Sequence, residues 1–267
     1  MARGESWYLK VSDIIRTQTG HPQLEDTMND ATAFDLTDKV VLISGATGGI
    51  GRVLTPILVA AGAKVVLVSR HHDRLEDLAA QVGIPDTHCL LKDADLRDPA
   101  QTREMVADVI DCFGRIDVVL NLVGSWAPGK VADTSDDVWD EQLGSNLYTV
   151  FHVLREAVPH MTEGGVIVNA GNAEPVEGKG GQLAYAVAKG GVHTLTRSLA
   201  LELKPRSIRV NAILPRNVDT PGNRALQPEA DPSGWPSAEE VARVIMLLIS
   251  SGAGVVSGAL VPVYGGS

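Results

Sequence analysis

The chain is short of three things, and each shortage closes off a class of protein. It has two cysteines, Cys89 and Cys112, in 267 residues. That is too few for the disulfide frameworks of small secreted domains, and the pair lacks the spacing of metal ligands. No metal is expected, and a reducing cytoplasmic setting fits. Positive charge is scarce: 23 Lys and Arg stand against 33 Asp and Glu, a formal net charge of -10. Such a surface repels phosphate backbones and anionic lipid alike, so neither nucleic acid nor membrane is an expected partner. Long apolar runs are missing too. No stretch approaches the roughly 20 residues that cross a bilayer, and the opening residues mix charge with apolar side chains without a signal-peptide core.

What is present, from Lys39 onward, is an alternation of β-branched runs with helical patterns. That is the rhythm of a mostly parallel sheet covered by helices on both faces. Strands are predicted at 40–44, 64–69, 87–91, 117–122, 165–170, 208–214 and 259–263. Helices are predicted from near Gly49, near Asp73 and after Asp98, where Pro99 suits a first turn, and then over 135–160 and 182–203. The fold class is therefore α/β, a single doubly wound Rossmann-type domain over residues 37–267. Residues 1–36 are expected to be an N-terminal extension, disordered if nothing ties it down. Met28 lies shortly before the first strand, so the first 27 residues read either as an arm or as the product of an upstream start. The stretch 215–236, "PRNVDTPGNRALQPEADPSGWP", is long for a connection and rich in Pro and Gly; it reads as a lid or as a surface loop.

The run "VVLISGATGGIG" sets Gly45, Gly49 and Gly51, with Thr47 and Ile50 among them, directly after a buried strand and at the mouth of a helix. Glycines there let the backbone turn tightly and approach a pyrophosphate that the helix N-terminus stabilises. At the end of the second strand a carboxylate would hold ribose hydroxyls; this chain has Ser69 and Arg70. A guanidinium can pair with a 2′-phosphate, so NADP is favoured over NAD. Asp95 and Leu96, past the third strand, stand where an adenine amino group could be received, although Asp95 could equally cap the helix opening at Pro99.

Tyr185 and Lys189 are four apart on the last long predicted helix, the spacing of a proton donor with a cationic helper on one face. The charge of Lys189 is expected to lower the phenol toward the working pH. Thirteen residues before Tyr185 stands Asn172, whose amide could donate to a substrate oxygen or read a heterocycle edge. Trp126 could form a flat wall against a ring.

The glycine motif, "NLVG" over 121–124, Asn146, and Tyr185 with Lys189 together resemble the short-chain dehydrogenase/reductase family over nearly everything from Lys39 onward. Within it, "VGSWAPG", "AGNAEPVEG" and the stretch after the sixth strand are most similar to its dihydropteridine reductase-like members. The resemblance implies hydride transfer from a nicotinamide to a carbonyl or to a quinonoid or imine-like ring, with Tyr185 as acid, Lys189 as helper and Asn146 organising a proton relay. Asn172 stands at the place of the family's serine. The resemblance further implies cofactor contacts from Asn121, Val123, Gly124, Lys189, Pro215 and Thr220. It also implies a small-molecule substrate and a homo-oligomer, a dimer or tetramer, packed through apolar faces near Val153, Leu154 and Leu195. A general carbonyl or 3-oxoacyl reductase, and a nucleotide-sensing binder without turnover, are the alternatives. "PR" at Pro215 and Arg216, where "PG" is usual, departs from the family pattern.

Overall fold

A computed structural model describes residues 34–265; residues 1–33 of the expected extension lie outside the described residues. Seven parallel strands form one sheet in the order β3-β2-β1-β4-β5-β6-β7. They are β1 (Val40–Ser44), β2 (Lys64–Ser69), β3 (Cys89–Asp93), β4 (Ile116–Asn121), β5 (Met161–Ala170), β6 (Arg209–Pro215) and β7 (Leu260–Val263). β1 and β4 are buried along their whole length, as strands covered on both faces must be, and their sequences are accordingly continuous apolar runs rather than alternating ones. The helices are α1 (Gly49–Ala60), α2 (His72–Val82), α3 (Pro99–Phe113), α4 (Asp136–Leu143), α5 (Thr149–Ala157), α6 (Glu174–Glu177), α7 (Leu183–Glu202), α8 (Pro221–Leu226) and α9 (Ala238–Ile249). Strand order reverses between β1 and β4, and such a switch point opens a crevice at the carboxyl ends of the strands.

Two apolar layers hold the helices to the sheet. One joins Leu54 and Leu58 of α1 and Val241 and Ile245 of α9 to the sheet residues Ile43 and Leu67. The other joins Met105 and Val109 of α3, Val153 of α5 and Val192 of α7 to Leu42 and Val119 on the opposite face. Packing begins ahead of Thr37: Leu36 is buried, and its N–H donates to the Ala61 carbonyl at 2.9 Å.

Several elements differ from expectation for local reasons. The third strand starts at Cys89 because Asp86–His88 makes a 3₁₀ turn after Pro85. The helix expected over 135–160 is capped by Ser135, whose hydroxyl accepts from the Val138 N–H, but it is interrupted by a π-helical turn at Gly144–Tyr148. Residues 215–236 are not a bare loop, since they contain α8 and a 3₁₀ turn at Pro232–Gly234. Helix α9 opens on a reciprocal cap, Ser237 with Glu240. Val153 and Leu154 are not outward apolar faces. Both are buried in the core and Leu195 packs against it, because they lie on the sheet-facing stripe of their helices. Exposed apolar side chains on or beside α5 and α7 include Tyr148, Phe151, Leu183, Val187 and Leu201. Among the described residues, no helix is long and apolar enough to cross a membrane.

Candidate active site

The crevice is lined first by backbone. Gly45 ends β1 with φ +75, and a Cβ on it would stand 3.0 Å from both the Leu122 carbonyl carbon and the Val123 nitrogen. A side chain is therefore barred twice, by conformation and by space. A Cβ on Gly51 would meet the Gly45 oxygen at 2.5 Å and Ala46 Cα at 2.7 Å, so the first turn of α1 lies directly on the chain leaving β1. No side chain caps α1 and its first turn carries no acid, which leaves its N–H groups and positive dipole end for an external anion. Thr47 and Ile50 are half-buried between these glycines. The cradle suits the pyrophosphate of a dinucleotide.

At the ribose side, the Ser69 and Thr47 hydroxyls lie 2.8 Å apart, and the His71 N–H donates to Ser69 Oγ. Arg70 is exposed and makes no ion pair with a described residue. Asp95 is not a helix cap. Asp98 caps α3, accepting from the Ala100 and Gln101 N–H groups, while the Asp95 carboxylate is held by the Arg97 guanidinium, which keeps it below the usual carboxylate range. Leu96 is buried in the core, and its carbonyl is bound by the His152 ring.

Asn121 does not present its amide to the crevice. That amide donates to Asn169 Oδ1 at 2.9 Å, and Asn169 in turn donates to Thr196, which forms a buried polar chain through the sheet. Beyond it, Val123 and Gly124 face the crevice side by backbone. A Cβ on Gly124 would fall 2.7 Å from Asn146 Oδ1 and 3.2 Å from Lys189 Nζ, so this glycine is the gap between two polar groups. Asn146 lies in the π turn, fully buried, with its NH₂ donating to the Ser125 and Gln142 carbonyls and its oxygen accepting from the Ser125 N–H. A π turn re-aims one residue out of the helical register, and such turns cluster at functional sites.

Tyr185 and Lys189 lie one turn apart on α7, both buried, with Nζ 6.0 Å from the centre of the phenol ring. Lys189 donates to the Ala170 carbonyl at 2.7 Å, and burial pushes its pKa down to about 8. The phenol does not follow the expected direction. Burial, and then the Glu174 carboxylate, raise it above its ordinary value, because here the nearer influences disfavour a phenolate.

Asn172 also departs from expectation. Both amide hydrogens are taken, by the Pro215 carbonyl at 3.0 Å and the Arg216 carbonyl at 3.2 Å, and its oxygen accepts from the Glu174 N–H. An amide has two hydrogens, so none is left to aim at a substrate. Pro215 thus enters the site through its carbonyl. Arg216 turns outward, where it forms a two-pronged ion pair with Glu177 and stacks over the Tyr264 ring at 4.4 Å. Thr220 caps α8 and packs its side chain on Gly49, with its Cβ 2.8 Å from where a glycine Cβ would be.

Glu174 and Gln182, which the sequence did not single out, join Trp126 in one chain of contacts. Trp126 Nε1 donates to Gln182 Oε1 at 2.7 Å, and Gln182 Nε2 donates to the Glu174 carboxylate, which also pairs with Lys179 at 2.6 Å. This chain joins residues up to 56 positions apart, and no spacing rule connects them.

A family profile described as enoyl-(acyl carrier protein) reductase matches residues 45–267, most of the chain. The chain belongs to the short-chain dehydrogenase/reductase family. Short-chain dehydrogenases/reductases act on carbonyl groups with a nicotinamide cofactor, and this chain is an oxidoreductase of that kind. Among curated members, it is 34% identical over 245 residues to the 3-oxoacyl-[acyl-carrier-protein] reductase of Thermotoga maritima, covering 86% of this chain and 98% of that one. It is 35% identical over 263 residues to the levodione reductase of Leifsonia aquatica, covering 90% and 97%. Among solved members, carveol dehydrogenase from Mycobacterium avium in complex with NAD superposes with a TM-score of 0.77 at 26% identity, covering 86% and 97%.

Proposed function

We propose that this short-chain dehydrogenase/reductase reduces a small ketone or diketone to the alcohol with NADPH, Tyr185 giving the proton. The observation that carries the reading is the buried Tyr185 and Lys189 pair beside the Gly124 gap at the mouth of the crevice. The relatives named for 3-oxoacyl and levodione substrates support a carbonyl as the acceptor. When bound, the nicotinamide supplies the hydride that goes to the carbonyl carbon. The chain's own residues supply the rest.

The raised phenol stays protonated, as a proton donor must, and Tyr185 gives its hydrogen to the carbonyl oxygen as the alcohol forms. Lys189, held by the Ala170 carbonyl, stabilises the phenolate left behind. Asn146, fixed by three bonds to Ser125 and Gln142, keeps the polar side of Lys189 open for proton return. The glycine cradle and the α1 N-terminus hold the pyrophosphate. Ser69, Arg70 and Thr47, with no carboxylate among them, receive a 2′-phosphate, which favours NADPH. Trp126 forms one wall of the substrate space. The assembly is a homo-oligomer in which a second copy covers Tyr148, Phe151, Leu183 and Val187.

A second reading, reduction of a quinonoid or imine-like ring such as a dihydropterin, is favoured by one observation. Asn172 is closed off, so no second donor stands at that place for a carbonyl oxygen, and a ring acceptor needs one less. The substitution Tyr185→Phe tests the mechanism. Turnover should fall by about 10²–10⁴-fold, the usual contribution of a general acid, with NADPH affinity by fluorescence titration unchanged. Undiminished turnover would remove the phenol from the chemistry.

A further inference from the structure

Glu174 is the carboxylate hydrogen-bonded to the Trp126–Gln182 pair, and it transfers no proton or hydride in the reduction step. Its side chain is only 12% exposed, and burying a carboxylate is costly unless it is paired. Three contacts fix it. The Asn172 amide oxygen accepts from its backbone N–H at 2.9 Å, Gln182 donates to one carboxylate oxygen, and Lys179 pairs with the other. Gln182 is itself locked, since Trp126 donates to its oxygen and so dictates which end of the amide faces Glu174. A carboxylate offers about four acceptor positions, and the two side-chain partners occupy two. Lys179 is 60% exposed, so its charge is shared with water and offsets that of Glu174 only in part.

The result is a fixed carboxylate, two residues past Asn172, bonded to the same amide that holds Trp126. An anionic keto acid would be repelled.

We propose that Glu174 is a specificity-determining residue that accepts a hydrogen bond from an ammonium or N–H group on the substrate, so that the preferred substrates are small carbonyl compounds bearing such a group near the reacting carbon. This rests on the carbonyl-reductase reading above and names its substrate class. Charge-assisted bonds of this kind are the stronger ones, and a site built to accept them discriminates sharply against analogues that lack the donor.

The test compares two substrates of one skeleton, 1-amino-2-propanone and 1-hydroxy-2-propanone, in wild type, Glu174→Gln and Lys179→Met. The wild type should favour the amine in kcat/KM by at least tenfold. Glu174→Gln should lose that ratio, and Lys179→Met, which leaves the carboxylate uncompensated, should raise it. Retained thermal unfolding behaviour identifies variants that fold. A wild-type ratio near one, or a ratio untouched by Glu174→Gln, overturns the proposal. If neither compound nor any neutral diketone is turned over, the carbonyl-reductase reading fails on its own. Glu174 is then judged by binding to the NADPH complex: the amine should quench nicotinamide fluorescence at a lower concentration than the alcohol in wild type and Lys179→Met but not in Glu174→Gln, and equal binding in wild type overturns the assignment.

Discussion

Lys189 is the residue on which the site's electrostatics turn. It is buried, it holds the Ala170 carbonyl, and burial brings its pKa down to about 8. The sign follows directly. Below that value the ammonium is charged and stabilises a developing phenolate; as pH rises through it, the charge is lost and so is the stabilisation. The kcat for reduction should therefore be level in neutral solution and fall as pH rises through about 8. Arginine does not titrate there, so Lys189→Arg should lower kcat and abolish that limb. A limb at the same place in the variant would assign it to another group. Tyr185 shows how far sequence reasoning reaches at this scale. Its spacing from Lys189 could be read directly, because four residues put two side chains on one helical face. The direction of its pKa could not, because that depends first on burial and then on Glu174, both set by the tertiary packing.

At the scale of elements, Asn172 ties the end of β5 to the end of β6. Its two donated bonds satisfy the Pro215 and Arg216 carbonyls, and its accepted bond starts α6. Removing it loses both donated bonds, each worth about 0.5–1.5 kcal/mol net, while the Pro215 carbonyl keeps the Ala173 N–H. Asn172→Ala should lower unfolding free energy by about 1–3 kcal/mol in denaturant titration, as the two bonds are lost together. A loss under about 0.5 kcal/mol, the size of an ordinary surface substitution, would mean that the tie carries nothing. The strands were legible as apolar runs between turn residues, and most helix starts as caps and prolines. The π turn at Gly144–Tyr148 was not, because nothing in "GSNLY" breaks the helical period. It forms where the Asn146 amide reaches back to the Gln142 carbonyl and across to Ser125, contacts set by tertiary packing. Likewise α8 and α9 hid behind the prolines and glycines of the stretch before them, although the Ser237 and Glu240 spacing is a capping signature that a closer reading would have used.

For the whole molecule, a net charge of -10 contrasts with the exposed Arg70 and the uncapped N-terminus of α1, the proposed cofactor end of the crevice. Anionic ligands are thus drawn to one place on a surface that otherwise repels them. The doubly wound order could be inferred from the alternation of strand and helix, since parallel strands joined by helices have few permitted arrangements. Trp126 was legible as a candidate wall, but its link to Glu174 and Gln182 was not, because their only connection is spatial.

NADPH-dependent carbonyl reduction is best checked by steady-state oxidation of NADPH and NADH. The purified protein would be offered a panel of small diketones and amino ketones with quinonoid dihydropterin alongside, corrected for uncatalysed reduction. The account predicts turnover of the carbonyl compounds with kcat/KM for NADPH at least tenfold above NADH, and a preference reversed by Arg70→Asp. Preference for NADH, or no oxidation of either cofactor above the uncatalysed rate with any carbonyl compound, would contradict it.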